Sequence, residues 1–465
     1  MTIFIDGVTP PPECSSSFVR AMNDMNNKYA AIVTGNTTRV LFVEQRNDDG
    51  TLQLLQKGAF FDFLANQKLD ITIDGPKNSK KIVKAPIAQL WWESPYRKTY
   101  PKGFVFDPKE TPHGAFNLWS GWGVEPRAGS WERCRRMITD DLCSGDEAHA
   151  DYVVRWLAWA VQNPVTPARV ALVLQGDEGT GKGMLASFVE AMFGDHYIRI
   201  HSMDHLVGRF NAHLHNKSFL FVDEAALVEQ KKEGSIKSLI SETTLPVERK
   251  GIDLVNTKNC LHVMLASNNA RVIPAGPGAR RYAVFKTSSA HKANADYWDA
   301  IETERENGGA AAMLHDLLAM DLTGWHPERK RPDTAALAEQ KVGSLGPLDA
   351  AWLGCLELGD FNGLGLPMKN GRALIVPRMV AEYVSRTRTV CGVSLPEVTR
   401  FFESMGFVYK EARTAEQGPN NKARGYVVEL DAARAAWCKR QGSAHVWVDA
   451  VAEDDATPTE GEIPF

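Results

Sequence analysis

The chain has 465 residues, 44% of them hydrophobic, with a formal net charge of −4. That length suggests about three domains at roughly 150 residues each, and the composition is that of a core-forming globular chain. A balance this close to neutral excludes a globally basic nucleic-acid coat, so any nucleic-acid contact must come from local basic residues.

The first 18 residues, MTIFIDGVTPPPECSSSF, have no basic n-region and no long apolar core, and make a poor signal peptide. No run approaches the roughly 18 apolar residues of a membrane helix, so no membrane role is expected. Residues 1–125 form an N-terminal accessory region rich in aromatics and turns, with strand-like AAIVTG and RVLFVE. Trp91, Trp92, Trp119 and Trp122 could stack on bases, although core or interface anchoring is the commoner use of such residues. Residues 126–165 read as two amphipathic helices broken at Gly145 and stopped by Pro164. From 166 to 325 strand and helix patterns alternate, which argues for an α/β parallel sheet. Residues 326–345 are a polar, proline-containing linker. Residues 346–445 carry helices near 377–388 and 395–405, two strands around a polar loop, and a last helix over 431–440. That order suits a winged-helix-like module, with a small packing domain as the alternative. Residues 446–465 form an acidic tail expected to be disordered. The seven cysteines are dispersed, with no C-x-x-C pair and no zinc spacing, which suggests reduced thiols in a cytoplasmic setting.

Chemistry concentrates in the α/β segment. The apolar run Val170–Leu174 leads into Gly176-Asp-Glu-Gly179-Thr180-Gly181-Lys182. Glycines let backbone N–H groups converge on phosphate oxygens, and a helix over 182–193 would aim its N-terminal dipole at the same anion. Lys182 would reach the β and γ phosphates. Gly183 stands where a Ser or Thr usually ligates Mg²⁺, a position that water could fill. Some forty residues on, SFLFVDEAA ends a strand in Asp223, suited to the Mg²⁺ shell, and Glu224, suited to polarising a water. A third strand, LHVMLASNN, ends at Asn268, which could orient that water or is an ordinary strand terminator. Arg280 and Arg281 open a further strand after a Gly/Pro loop, and either could complete a neighbouring subunit's site. Between the second and third strands, LPVER and IDLVNT meet at Lys250-Gly251, a hairpin whose Arg249 and Lys250 could grip a phosphate backbone or be a solvated basic turn.

Taken in order, GTGKG, FVDEA, RKGIDLVNTKN, ASNN and ARRYAVF resemble the superfamily 3 helicases, AAA+-like motors, in the branch of phage and poxvirus-type primase-helicases. The upstream FNLWSGWGVEP, DDLCSGD and WLAWAVQNP look like the segment preceding the motor in phage members. Phage members often show glycine at the Gly183 position, whereas Ala279 departs from the acidic residue that precedes the paired arginines in the family. The resemblance implies a P-loop motor domain with a helical collar over 126–165, a hexameric ring, ATP and Mg²⁺ at subunit interfaces, and 3′ to 5′ movement on single-stranded or forked DNA. It implies that Lys182, Asp223, Glu224 and Asn268 form the cis site, that Arg280 or Arg281 comes from the adjacent subunit, and that Lys250 lines the channel. The competing expectation is an ATP-gated DNA-binding or loading protein that oligomerises without unwinding. The terminal EDDATPTEGEIPF resembles the tail of bacterial single-stranded-DNA-binding proteins. In that likeness Ile463, Pro464 and Phe465 would dock host replication proteins, such as a clamp-loader accessory subunit.

Overall fold

The computed structural model describes residues 16–46, 52–74, 80–201, 214, 216–225, 233–249, 252–273, 279–361, 363–368, 372–387, 392–414, 422–441, 445 and 447. The chain divides into two compact units, Met1–Val272 with Arg280–Thr334, and Ile273–Ala279 with Ala335–Phe465.

The first unit begins with α1 (Ser16–Lys28), β1 (Tyr29–Thr34), β2 (Thr37–Arg46), β3 (Leu52–Leu55), α2 (Lys57–Phe63), β4 (Lys68–Asp74), β5 (Lys80–Pro86), α3 (Ile87–Glu93) and β6 (Thr99–Tyr100). Strands β3-β2-β1-β6 form one sheet, while β4 and β5 pair as a separate ribbon. Trp91 is fully buried here, and its indole N–H donates to Asn26 Oδ1 at 2.8 Å. Trp92 lies beneath the Arg97 guanidinium at 4.4 Å. Short strands β7 (Phe104–Val105) and β8 (Phe116–Asn117) follow. Trp119 then stacks on His196 at 4.4 Å, and Trp122 meets Phe193 edge-on at 5.2 Å. All four tryptophans thus make packing contacts, Trp91 buried and the other three partly exposed.

Helix α4 (Glu132–Met137) runs into a π-helical turn, Ile138–Leu142, and α5 (Glu147–Gln162) follows. Asp146 caps α5 by accepting from the His149 N–H at 2.9 Å. The apolar faces of α4 and α5 do not form a layer of their own. Trp131, Met137, Val153 and Trp156 share one core with the sheet residues Leu172, Phe219 and Met264, and the Trp156 indole donates to Val170 O at 2.9 Å. The collar expected at 126–165 is thus part of the α/β body; its broad apolar stripe needed the sheet as a partner.

That body holds β9 (Ala171–Gln175), α6 (Lys182–Phe193), β10 (Tyr197–Ile200), β11 (Phe219–Val222), α7 (Glu233–Ser241), β12 (Thr244–Arg249), β13 (Ile252–Lys258), β14 (His262–Ser267), β15 (Tyr282–Lys286), α8 (Ala295–Glu304) and α9 (Ala310–Ala319). Strands β10-β11-β14-β9-β15 form a parallel sheet. β9, β11 and β14 are buried throughout, as short apolar strands covered on both faces must be. All five strands point the same way, so Gln175, Val222, Ser267 and Lys286 end at one edge. Clefts for ligands form at this carboxyl edge in open α/β sheets. β12 and β13 form an antiparallel hairpin, as the sequence suggested.

The second unit holds α10 (Ala335–Gly343), α11 (Pro347–Leu358), β16 (Gly365–Pro367), β17 (Arg372–Ile375), α12 (Pro377–Thr387), α13 (Leu395–Ser404), β18 (Tyr409–Arg413), β19 (Lys422–Glu429) and α14 (Leu430–Gln441). Its sheet runs β16-β17-β19-β18, with antiparallel pairs. Trp352 stacks on Phe361 at 5.2 Å in its own core. The expected linker at 326–345 needs correction. Thr334 donates to Val284 O at 2.6 Å and Tyr152 donates to Pro327 O at 3.0 Å, which pins the stretch up to 334 to the first unit. From 335 the chain is helical, with Ala336, Leu337 and Gln340 buried. The charged, proline-bearing run before it hid that helical spacing. Among the described residues no helix is long and apolar enough to cross a membrane.

Candidate functional site

A cavity of about 360 Å³ opens at the carboxyl edge of the parallel sheet. Its wall includes Gly179, Gly181, Lys182, Gly183, Asp223, Glu224 and Asn268. Three separate stretches of sequence therefore meet there.

The glycine loop is shaped by its neighbours. Gly181 has φ 88°, and a Cβ there would lie 2.9 Å from the Trp298 ring. Gly176 has φ 156°, and a Cβ there would lie 1.9 Å from Thr287 Oγ1. Both positions demand glycine sterically as well as conformationally. Thr180 is buried, and its hydroxyl donates to Asp177 O at 2.8 Å while standing 2.9 Å from Thr287 Oγ1. It braces the loop, and its hydroxyl is already committed to these partners. Gly183 lies in the first turn of α6, and nothing stands within 4 Å of where its Cβ would be.

Lys182 donates to Gly176 O at 2.6 Å and also to Asp177 O. Burial lowers its pKa from the ordinary lysine value, and the Asp177, Asp223 and Glu178 carboxylates oppose that shift. Asp223 follows β11 directly and is partly buried, with its N–H donating to Ile200 O at 2.8 Å. Glu224 is exposed at φ 56°, a left-handed conformation that is uncommon for a non-glycine residue and concentrates at functional sites. Asn268 follows β14, and its amide lies 3.4 Å from Glu178 Oε1.

Arg280 and Arg281 do not line the cavity. Arg280 is exposed, whereas Arg281 donates to Ser241 Oγ at 2.9 Å. Arg249 ends β12, while Lys250 lies outside the described residues, as do Gly251 and the terminal Ile463, Pro464 and Phe465.

Sequence reasoning missed the opposite wall. Lys292 and Trp298 also line the cavity. The Lys292 ammonium sits 3.1 Å from Asp177 Oδ2, and the Trp298 indole donates to His291 O at 2.9 Å. Behind them the carboxylate of Asp141, fully buried in the π-helical turn, accepts from Tyr297 OH at 2.6 Å and pairs with His291 Nδ1 at 2.8 Å. The His291 and Tyr297 rings stack at 4.1 Å. The only signal in the sequence was aromatic and basic residues packed into HKANADYW, which pattern alone assigns to a surface helix.

Residues 174–281 match a family of unknown function (DUF5906). A DNA primase-polymerase of Nitratiruptor phage NrS-1 is 24% identical over 192 residues, covering 40% of this chain and 26% of that protein. This chain therefore corresponds to about a quarter of that relative. The apo structure of the NrS-1 C-terminal region (305–718) superposes with a TM-score of 0.59 at 15% identity, covering 89% of this chain and 100% of that one. An A-form apo structure of the same region gives 0.58 at 15% identity, over 86% of this chain and 96% of that one. These likenesses establish a mixed α/β fold shared with the NrS-1 C-terminal region.

Proposed function

We propose that this chain works in phage DNA replication as an ATP-hydrolysing motor on DNA, a helicase of the ring-forming kind. The observation that carries this reading is the convergence of Lys182, Asp223, Glu224 and Asn268 on one cavity beside a glycine loop and a helix N-terminus. The strand order adds support. β14 lies between β9 and β11, which sets Asn268 between the phosphate loop and the carboxylates. Similarity to the NrS-1 primase-polymerase supports the replication context. The three-dimensional likeness is to that protein's C-terminal region, so polymerisation is not carried over.

In this reading the loop N–H groups and Lys182 bind the triphosphate tail. Glu224, exposed at the cavity wall, takes the proton of the attacking water, and Asn268 orients that water. The carboxylate of Asp223 suits Mg²⁺, a hard cation content with few protein ligands and several waters. Asp223 would hold it, and it would supply positive charge to the phosphates. Arg280 fits a role in trans better than Arg281, because Arg281 is bound to Ser241.

The test is ATP turnover with and without single-stranded DNA, beside strand displacement on a forked substrate. Turnover stimulated by DNA and abolished by Lys182→Ala is expected. Turnover indifferent to that substitution would overturn the reading. One observation favours a second function, ATP-gated DNA loading: the site has no free hydroxyl at Gly183, and Thr180 is committed elsewhere. DNA-stimulated hydrolysis without displacement would select it. The host-docking role of Ile463–Phe465 is tested separately by pull-down with and without those residues.

A further inference from the structure

The cavity has two chemically different ends. Asp223, Glu224 and Asn268 follow β11 and β14, while Lys292 and Trp298 come after β15, which flanks β9 on its other side; Met184 of α6 is also in the wall. If the first end holds the reacting γ-phosphate, the chain of phosphates must leave along the glycine loop toward the second. Lys292 reaches the loop there, since a Cβ at Gly179 would lie 3.6 Å from its side chain and its ammonium pairs with Asp177. Trp298 lies against the loop at Gly181, and its ring is fixed rather than free. Its N–H is held by His291 O, Tyr297 packs on it at 4.9 Å, and the buried Asp141 anchors both His291 and Tyr297.

We propose that Trp298 and Met184 seat the nucleotide base by stacking and apolar contact, and that Lys292 binds the phosphate nearest the ribose. This rests on the phosphate-binding reading of Lys182 and adds to it the nucleoside half of the ligand. An aromatic plane and a thioether offer area but no donor–acceptor code, so recognition follows the size of the base. Purine triphosphates bind better than pyrimidine ones, with little distinction between ATP and GTP. Asp141 is a positioning residue that acts through His291 and Tyr297.

The experiment is equilibrium binding to the full chain of ATP, GTP, UTP and inorganic tripolyphosphate, which has no base. ATP and GTP should bind more tightly than UTP, and UTP more tightly than tripolyphosphate. Trp298→Ala should weaken ATP by on the order of tenfold or more, the scale of a lost base–aromatic stack, while leaving tripolyphosphate unchanged. Trp298→Phe should restore most of the loss. Equal loss of ATP and tripolyphosphate in Trp298→Ala would mean a structural role and overturn the proposal. ATP no tighter than tripolyphosphate on the unsubstituted chain would overturn it while sparing the phosphate site. No tripolyphosphate binding at all would overturn both.

Discussion

The two walls of the cavity are built on opposite principles. Asp223, Glu224 and Asn268 stand just past the ends of β11 and β14, held by the strands themselves. Of these side chains, Asn268 has a long 3.4 Å contact to Glu178, and Glu224 is exposed. Trp298 and Lys292 instead stand on a segment fastened by a buried carboxylate from 150 residues earlier in the chain, through His291 and Tyr297. One wall takes its geometry from a sheet, which is rigid and repetitive. The other takes it from a partly exposed polar network gathered on one buried carboxylate, where each group depends on the rest. The first wall should therefore fail by losing chemistry while the fold survives. The second should fail by losing shape.

Glu224→Gln is the sharpest way to break that contrast. Turnover should fall by about 10²–10⁴-fold, the usual worth of a general base, while ATP binding and thermal unfolding stay as they were. Normal turnover would remove Glu224 as the base. A large loss of stability would show that the carboxylate wall is a network after all.

Asp141→Ala attacks the other wall. Removing the carboxylate that Tyr297 and His291 share should cost about 1–3 kcal/mol in denaturant unfolding. Tripolyphosphate binding should persist while the preference for ATP over it disappears. A variant as stable as the parent would mean that the network is dispensable.

This division also explains what could be read beforehand. The helix expected over 182–193 is found at Lys182–Phe193, and the phosphate-loop, Asp-Glu and Asn stretches fall beside one another. Each is a local signal, an apolar strand followed by its terminal residues, and parallel strands bring such ends together whatever their order. Asp141 carries no such signal. Between Ile138 and Leu142 it looks like a solvated charge, and only the π-helical turn points its carboxylate inward. The helix at Ala335–Gly343 was hidden for a similar reason. Its buried positions are few, and a charged, proline-bearing run precedes it.

The base of the same sheet supplies a smaller test, remote from either wall. His262 opens β14 fully buried, donates from Nε2 to Asn163 O at 3.1 Å, and is pushed by desolvation down to about 4. A histidine protonates near 6.5 in the unfolded chain. Between those two values the unfolded state binds the extra proton, so stability is complete above pH 6.5 and falls as pH drops toward 4. From pH 7 to pH 5 the loss should be about 2 kcal/mol in urea unfolding. His196, lowered mainly by burial, acts in the same direction. The Asn variant of His262 should show a shallower slope, and an unchanged slope would assign the pH dependence to other groups.

Gly183 gives the smallest effect and the finest comparison. It sits in the first turn of α6 with open space where a side chain would project, so the fold does not require glycine there. Gly183→Ala should stabilise the chain by about 0.5–1 kcal/mol, since alanine restricts the unfolded state and favours the helix. Gly183→Ser adds the missing hydroxyl beside Lys182 at little steric cost. If that hydroxyl reaches the metal, the Mg²⁺ concentration for half-maximal turnover should fall in the Ser variant and stay put in the Ala variant. Equal behaviour of the two would mean that water already serves this position as well as serine can. A rise in Mg²⁺ demand for both would mean that backbone freedom at Gly183, rather than the absence of a side chain, is what the loop uses.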